Sequence, residues 1–301
     1  MRKEQEVFQT YEDINVMELF KIIWVGKLRI IGLTTIAAIL SIVYSLSLPD
    51  IYRSEVLLAP ASSTSGGLNG LAQYGGLASL AGIRVGSSGV DKVTLGLATL
   101  KSRAFIKDFI VRRDILVHLM ALKSWSYEVT EIDTAVYDIE KNAWQVEKPG
   151  LQAAYSKFVS IFSFSKDKTS GLLTIAISNK SPILAQEWVT WLVQDLNQSM
   201  KESDIKESEH AITLLEAQLQ STGLVEMRSV FFRIIEEQVE KIMIANVRPD
   251  YLFKVIDPAI IPETKSSPNR ALICILGTLF GGFLSVFLVF LMHFLQPKKD
   301  H

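Results

Sequence analysis

The stretch that decides the fold is Ile30–Leu48, IIGLTTIAAILSIVYSLSL, together with its counterpart Ala271–Leu295, ALICILGTLFGGFLSVFLVFLMHFL. Neither block contains Asp, Glu, Lys or Arg, although the 301-residue chain carries 31 basic and 32 acidic side chains. Helices rise about 1.5 Å per residue, so blocks of 19 and 25 residues are long enough to cross a bilayer core roughly 30 Å thick. The sequence therefore predicts a membrane protein with two spans and a polar middle segment.

Charge and cysteine content exclude several classes of protein. The middle segment, 49–269, carries 23 Lys+Arg and 26 Asp+Glu, a net charge of −3. Nucleic-acid binding requires a basic patch, and none stands out, so we expect no nucleic-acid partner. The only cysteine is Cys274, inside the second apolar block, so the middle segment has to fold without a disulfide.

The charges that flank the two blocks predict the orientation of the chain. Five Lys or Arg residues lie on the outer flanks, at 21, 27, 29, 298 and 299, against three on the inner flanks, at 53, 265 and 270. The positive-inside rule then puts both termini in the cytoplasm and the middle segment outside it. The predicted division is a cytoplasmic segment 1–29, a span 30–48, a periplasmic domain 49–270, a span 271–295 and a cytoplasmic tail 296–301.

The first span has an alternative interpretation as a signal peptide. Ser45-Leu46-Ser47 is an acceptable cleavage site with small residues at the two required positions. However, the preceding segment of 29 residues is long, and the apolar stretch exceeds a usual signal core. An uncleaved anchor is therefore the favoured interpretation.

The middle segment predicts an α+β base with a long projecting helix. Alternating apolar residues predict strands over Asp50–Pro60, Leu172–Ser178 and Tyr251–Ile256. A glycine-rich insertion at about 62–89 holds eight of the 17 glycines. The remaining predicted elements are helices over Val93–Asp114, about 181–222, and Leu224–Asn246.

The helix over about 181–222 opens with Ser181 as N-cap and Pro182 at the first helical position. No Pro or Gly follows for about 40 residues, which gives roughly 60 Å of helix. Its second half is strongly charged and has no evident mate within one chain, so we expect it to bury its apolar positions against another subunit. The candidate oligomer contacts are Ile205, Ile212, Leu215 and Leu219 on this helix, with Arg228 and Glu236 on the next.

Both ends of the chain resemble one family. The N-terminal part resembles the signature of Wzz proteins over residues 15–24, NVMELFKIIW, the first span, and residues 48–55, LPDIYRSE. The motif residues of this chain in that stretch are Pro49, Tyr52 and Arg53. The C-terminal part resembles the proline-rich motif that this family has before its second span. The matching residues are 257–259, DPA, then Pro262, and 265–270, KSSPNR. Residues 75–82 are similar to a glycine-rich insertion in some members. The motif residues before the second span are Pro258, Pro262, Pro268 and Arg270.

The resemblance implies a function. Wzz proteins are polysaccharide co-polymerases that set the length of O-antigen chains without chemistry of their own. It implies a homo-oligomeric ring in the bacterial inner membrane that acts on the O-antigen polymerase, with lipid-linked polysaccharide as a further candidate partner. Some relatives carry or pair with a cytoplasmic tyrosine kinase. The sequence has neither a GxxxxGK[ST] phosphate loop nor a tyrosine cluster, so we expect the lipopolysaccharide branch rather than the kinase-linked capsule branch.

Other candidate sites are weighed against plainer interpretations. The four histidines, at 118, 210, 293 and 301, have no ligand spacing, so we expect no metal site and no cofactor. No nucleophile and base arrangement is evident, and we expect no catalytic residue. Three acidic residues cluster on the helix over 224–246, namely Glu236, Glu237 and Glu240. They could supply a catalytic pair of carboxylates, but we favour a solvated helix face that makes salt bridges. Gly277 and Gly281 form a GxxxG in span two that permits close helix packing or occurs by chance.

Three rival functions stay open. A capsule or exopolysaccharide co-polymerase that works with a separate tyrosine kinase has the same architecture. A two-span periplasmic sensor or adaptor needs a ligand pocket and a cytoplasmic output, for which the predicted cytoplasmic segments offer little room. A membrane enzyme is the weakest of the three because no reactive constellation supports it.

Overall fold

A computed structural model describes residues 23–61, 92–126, 129–221 and 225–295. The chain divides into two compact units. A helical unit comprises Met1–Asp50 and Ser266–His301, and an α+β unit comprises Ile51–Lys265. The predicted glycine-rich insertion at about 62–89 and the predicted tail 296–301 lie outside the described residues.

Two apolar helices form the helical unit, and they confirm the prediction of two candidate spans on either side of an α+β domain in the sequence. Helix α1 is Lys27–Ser47, and α8, the last helix, is Arg270–Leu295. Their mean hydropathies are 2.0 and 2.5, and only 6% and 11% of their apolar windows are buried. A core helix of a soluble protein would be mostly covered, so these two helices are suited to a lipid environment.

The α+β unit is built on a four-stranded antiparallel sheet with the order β6-β7-β1-β8. Strand β1 is Tyr52–Pro60, and its alternate residues Val56 and Leu58 are buried opposite Ile175 and Leu173. This alternation is the period-two pattern that predicted the strand. The other strands of the sheet are β6 (Phe162–Lys166), β7 (Leu173–Asn179) and β8 (Phe253–Asp257).

Strand β6 was not predicted from the sequence. Its residues alternate as Phe-Ser-Phe-Ser, which is a strand signal of the same kind. Two small hairpins also lie in the unassigned region of the sequence: β2 (Leu122–Ser126) with β3 (Val129–Ile132), and β4 (Tyr137–Asp138) with β5 (Ala143–Trp144).

The single helix predicted over Val93–Asp114 is wrong, because the structure has two helices there. Helix α2 is Lys92–Lys101 and α3 is Arg103–Arg112. Ser102 between them is extended, and its Oγ accepts a hydrogen bond from the Phe105 backbone N–H at 3.1 Å. This N-cap begins a new helix, and capping outweighs the continuous apolar pattern. Two shorter helices follow, α4 (Leu116–Met120) and α5 (Leu151–Ile161).

One hydrophobic core fills the space between the sheet and the helices. It is rich in aromatic rings, with Phe158 5.4 Å from Phe109 and 6.5 Å from Trp188 between ring centroids. Large side chains at the centre are fully buried, so the core fixes the sheet to the first half of the long helix that follows β7. These side chains include Leu58, Phe109, Phe158, Ile175, Trp188 and Phe253.

The long helix is confirmed as α6, Pro182–Ser221, which has 40 residues and a length of about 60 Å. Its first half lies in the core, whereas over 201–221 only Ser208 is buried. Helix α7, Val225–Val247, packs along α6. The expectation that α6 has no mate within its own chain is therefore wrong. Helix α7 follows α6 in the sequence and packs against it, so the partner of α6 comes from the same chain.

Candidate functional site

The two apolar helices meet through small residues. A Cβ placed on Gly277 of α8 would lie 2.7 Å from the Ser41 Cβ of α1, and a Cβ on Gly281 would overlap the Ala37 Cβ. Backbones approach this closely in lipid only where side chains are small or absent. The structure thus places the predicted Gly277 and Gly281 at the contact between α1 and α8 of a single chain.

Hydroxyl groups in the same contact are paired. Thr34 Oγ1 lies 3.2 Å from Ser285 Oγ, and Ser41 Oγ donates to the Ile273 carbonyl at 3.0 Å. Thr34 and Ser285 can also donate to carbonyls of their own helices, Ile30 and Gly282. The Ser41 hydroxyl donates across the contact, and its bond therefore favours one register of α1 against α8, because an unpaired hydroxyl in hydrocarbon is costly. The sequence pattern did not predict the bonds between the helices, because the partners are more than 200 residues apart.

Arg270, a predicted motif residue, forms an ion pair at the start of α8. Its NH2 lies 2.9 Å from Asp50 Oδ1, and each side chain is about one third exposed. Asp50 follows α1 in the sequence, so the pair connects corresponding ends of the two apolar helices. Pairing also explains how a basic residue can adjoin an apolar helix, since a lone charge at the edge of the hydrocarbon would be costly.

The proline-containing segment after β8 is held in place on the α+β unit. Ser54 Oγ of β1 donates to the Ile260 carbonyl at 2.7 Å, and Gln186 Nε2 of α6 donates to the Ala259 carbonyl at 3.3 Å. The predicted Pro258 and Pro262 flank these two carbonyls. Proline fixes φ and lacks an N–H group, so this segment is stiff without joining the sheet. Pro268 lies in the other unit, with Arg270.

The N-terminal motif residues lie at the end of α1 and on β1. Leu48, before Pro49, is extended, as expected because a residue that precedes proline avoids helical angles. The Tyr52 ring meets the Trp125 ring edge-on at 5.4 Å and so fastens the β2–β3 hairpin to β1. Arg53 lies 3.6 Å from Glu55, and both are largely exposed, so this pair contributes little.

The candidate oligomer contacts fall into two groups. Ile205, Ile212, Leu215 and Leu219 are half-buried in the half of α6 along which α7 packs, whereas Arg228 and Glu236 of α7 are exposed. The face of α7 that carries these two charges also carries exposed apolar residues, which the sequence pattern did not predict as a contact. We call these residues the outer strip of α7; they are Phe232, Val239 and Met243, which are 57%, 42% and 62% exposed.

A polar cluster joins the start of α2 to α6 and to Tyr251, two residues before β8. Lys92 Nζ lies 2.6 Å from Asp204 Oδ2, and the Tyr251 hydroxyl donates to the same oxygen at 2.5 Å. Burial alone would lower the pKa of Lys92, but the hydrogen bond to Asp204 and the charge of Asp204 outweigh it and raise the pKa above 10.5. Burial and then Asp204 raise the pKa of Tyr251 above 10.0.

A groove of about 640 Å³ lies beside this cluster, between α6 and the connection from α7 to β8. At its edge Arg113 holds Asp195, with NH2 2.6 Å from Oδ1 and Nε 3.3 Å from Oδ2. The Asp195 side chain is only 6% exposed. The guanidinium also stacks 5.4 Å from the centre of the Trp191 ring. Pro258 lines the same groove and brings one motif residue to it.

Among the described residues, no three His, Cys, Asp or Glu side chains are grouped as metal ligands. Of the acidic residues considered on α7, Glu237 pairs with Lys241 one helical turn away at 3.4 Å.

Comparison with known proteins agrees with this architecture. The family model "Wzz: Chain length determinant protein" matches residues 12–110, which include α1, β1, α2 and α3. Over these residues the chain is similar to Wzz chain length determinant proteins. A second model, "G-rich domain on putative tyrosine kinase" (GNVR), matches residues 228–294, from α7 to α8. Neither description names a catalytic activity of the matched segment. No curated protein sequence matches the chain.

Two solved structures are similar to this chain at low identity. A "full-length bacterial polysaccharide co-polymerase" is 14% identical with a TM-score of 0.41, over 95% of this chain and 100% of that one. A "fragment of WzzB, polysaccharide co-polymerase from Salmonella Typhimurium" is 9% identical with a TM-score of 0.30, over 73% of this chain and 100% of that one. The similarity to Wzz proteins rests on the sequence match at residues 12–110.

Proposed function

We propose that this Wzz-type chain regulates the length of O-antigen chains without catalysing their synthesis. The observation that carries the proposal is the match of residues 12–110 to a chain length determinant model. The two apolar helices agree with it, because they lie at opposite ends of the α+β unit in the sequence and pack together. A chain tethered in this way can stand beside a membrane-bound O-antigen polymerase, which is its proposed partner.

The proposed location is the bacterial inner membrane, with both termini in the cytoplasm and 49–270 in the periplasm. The outer flanks of the two apolar blocks carry more Lys and Arg residues than the inner flanks, five against three, and this excess supports the orientation. Spans over 30–48 and 271–295, with cytoplasmic segments 1–29 and 296–301, complete the proposed division of the chain.

The proposed oligomer is a ring of identical copies. Its support is the outer strip of α7, since Phe232, Val239 and Met243 are spaced by seven and four residues and are exposed in one copy. A neighbouring copy would bury them, and Arg228 and Glu236 beside them would pair across the contact. The half-buried apolar residues of α6 complete the candidate contact, namely Ile205, Ile212, Leu215 and Leu219.

The oligomer is tested by placing a charge in the outer strip. Phe232→Glu should shift the protein in native nanodiscs from an oligomer to smaller species in mass photometry, because a buried carboxylate without a partner is costly. Val230→Glu is the matched control, since Val230 is 46% exposed on another face of the same helix. If both variants assemble as the wild type does, the outer strip is not a subunit contact.

The function itself is tested in cells. A strain that lacks the chain should still make lipopolysaccharide polymer, but with a broad and unregulated length distribution on a gel, and the complementing gene should restore the distribution. Loss of polymer altogether would contradict a regulatory role and favour an enzyme.

A second candidate has support of its own. The match of residues 228–294 to a domain found on tyrosine kinases favours a capsule or exopolysaccharide co-polymerase that works with a separate kinase. The same deletion strain separates the candidates. A change in capsule size with unaltered lipopolysaccharide favours the second candidate, and the reverse favours the first.

A further inference from the structure

The groove between α6 and the α7–β8 connection has the size of a ligand site. Its volume of about 640 Å³ lies within the range of roughly 300–1,000 Å³ that is usual for small-molecule clefts. All of its walls belong to the α+β unit. The packing of the sheet does not require an open groove there, since the core is closed beneath it by buried residues such as Val56 and Val193.

Several amide side chains line the groove. Gln194 and Gln198 lie on α6, and Asn246 lies near the end of α7; all three are exposed. Each amide carries both a donor and an acceptor, and so does each hydroxyl group of a sugar. Side chains with both functions on two helices that line one groove suit a ligand with many hydroxyl groups.

The edge of the groove carries a guanidinium whose position is fixed. Asp195 accepts two of the five Arg113 N–H groups, and Trp191 stacks against the same group. An ion pair with one nearly buried partner adds little net stability, because desolvation offsets its attraction. Held in this way, Arg113 can present its other N–H groups to a ligand oxygen without losing side-chain entropy on binding.

The remaining lining is apolar or of mixed charge. Val255 and Pro258 offer flat apolar surface, which suits the C–H faces of a sugar ring. The groove is lined by the basic residues Lys201 and Arg248 and also by the acidic Asp250. Its charge is therefore mixed, whereas a polyphosphate requires a positive surface. The chemistry of the groove therefore favours a largely uncharged polar ligand.

We propose that this groove binds a short segment of the polysaccharide whose length the protein regulates. The inference rests on the proposed function and adds to it a direct contact between the α+β unit and the glycan. The amides of Gln194 on α6 and Asn246 on α7 bind ring hydroxyl groups, and Arg113 binds a sugar oxygen.

The experiment measures glycan binding by the full chain in nanodiscs. The probes are short oligosaccharides released by mild acid from the lipopolysaccharide of the strain that encodes the chain and, separately, from its capsule. Titration calorimetry should detect binding of one of them. Gln194→Ala and Asn246→Ala should each weaken it about fivefold, because each removes about one hydrogen bond. Gln220→Ala, an exposed amide on α6 outside the groove, is the matched control and should bind as the wild type does.

Two results would overturn the inference. One is the absence of binding by the wild type to either oligosaccharide at millimolar concentration. The other is binding that Gln194→Ala and Asn246→Ala leave unchanged. Neither result touches the proposed function, which the deletion strain tests independently. If the deletion alters polymer length while the groove variants bind normally, only the groove is refuted.

Discussion

Replacing Gly281 by alanine tests the packing of the two apolar helices. The new Cβ would overlap the Ala37 Cβ, and neither atom can rotate away because the backbone fixes both. Carbon atoms need about 3.5–4.0 Å between centres, so the helices would have to separate by about 1 Å or more. Overpacking of this kind costs about 1–3 kcal/mol.

Gly282→Ala is the matched control for this substitution. Its Cβ would lie 3.8 Å from Thr34 Cγ2, an ordinary contact. Both substitutions gain the same helix propensity, about 1 kcal/mol, so that gain cancels when the two variants are compared. We expect Gly281→Ala to be less stable than Gly282→Ala by about 1–3 kcal/mol.

The assay is SDS-induced unfolding in mixed micelles, followed by energy transfer between dyes at Leu48 and Asn269 in a Cys274→Ala background. Moving the methyl group from one helix to the other, in the double variant Ala37→Gly with Gly281→Ala, should restore most of the lost stability, with a coupling energy of about 1–3 kcal/mol. Equal stability of Gly281→Ala and Gly282→Ala, or failure of Ala37→Gly to restore it, would refute the packing.

Two further predictions concern ion pairs in the α+β unit. The pKa values of Lys92 and Tyr251 are raised, so the native state holds both protons more tightly than the unfolded state, and this stability is present below about pH 10 and lost as pH rises through the native pKa values. Asp204→Asn should therefore lower the thermal midpoint at neutral pH, and its difference from the wild type should shrink above pH 10.5; a constant difference would contradict this. Asp195→Ala should cost about 2 kcal/mol in denaturant unfolding because it strands a charged hydrogen-bonding partner. Asp108→Ala, which removes an exposed pair, should cost under about 0.5 kcal/mol, and equal costs would count against the Asp195 pair.

Local patterns in the sequence predict the elements that depend on local physics. Composition alone identifies α1 and α8. Apolar residues near Pro60 identify β1, and alternation over 172–178 identifies β7. The start of α6 follows from Ser181 and Pro182, and the Leu184 N–H is 3.4 Å from the Ser181 Oγ.

Contacts between distant residues escape such patterns. Arg270 pairs with Asp50, and Lys92 with Asp204, across 220 and 112 residues. A single charged residue in a sequence carries no signal of its partner, so neither pair could be predicted. The groove combines residues from β1, α6, α7 and β8 with Arg113, which follows α3, and only Pro258 had been singled out as a candidate site residue.

The pairing of α6 with α7 changes the argument for an oligomer without removing it. A lone α6 would need another subunit to cover its apolar positions, and α7 now covers one side of the helix. The need moves to α7, whose outer strip of Phe232, Val239 and Met243 stays 42% to 62% exposed. Full burial of such side chains is worth about 1.5–3 kcal/mol each, so roughly half of that remains to be gained by assembly. Because these residues lie on one face of one helix, the gain favours a contact in which α7 of one copy meets its neighbour, and Phe232→Glu should oppose that contact.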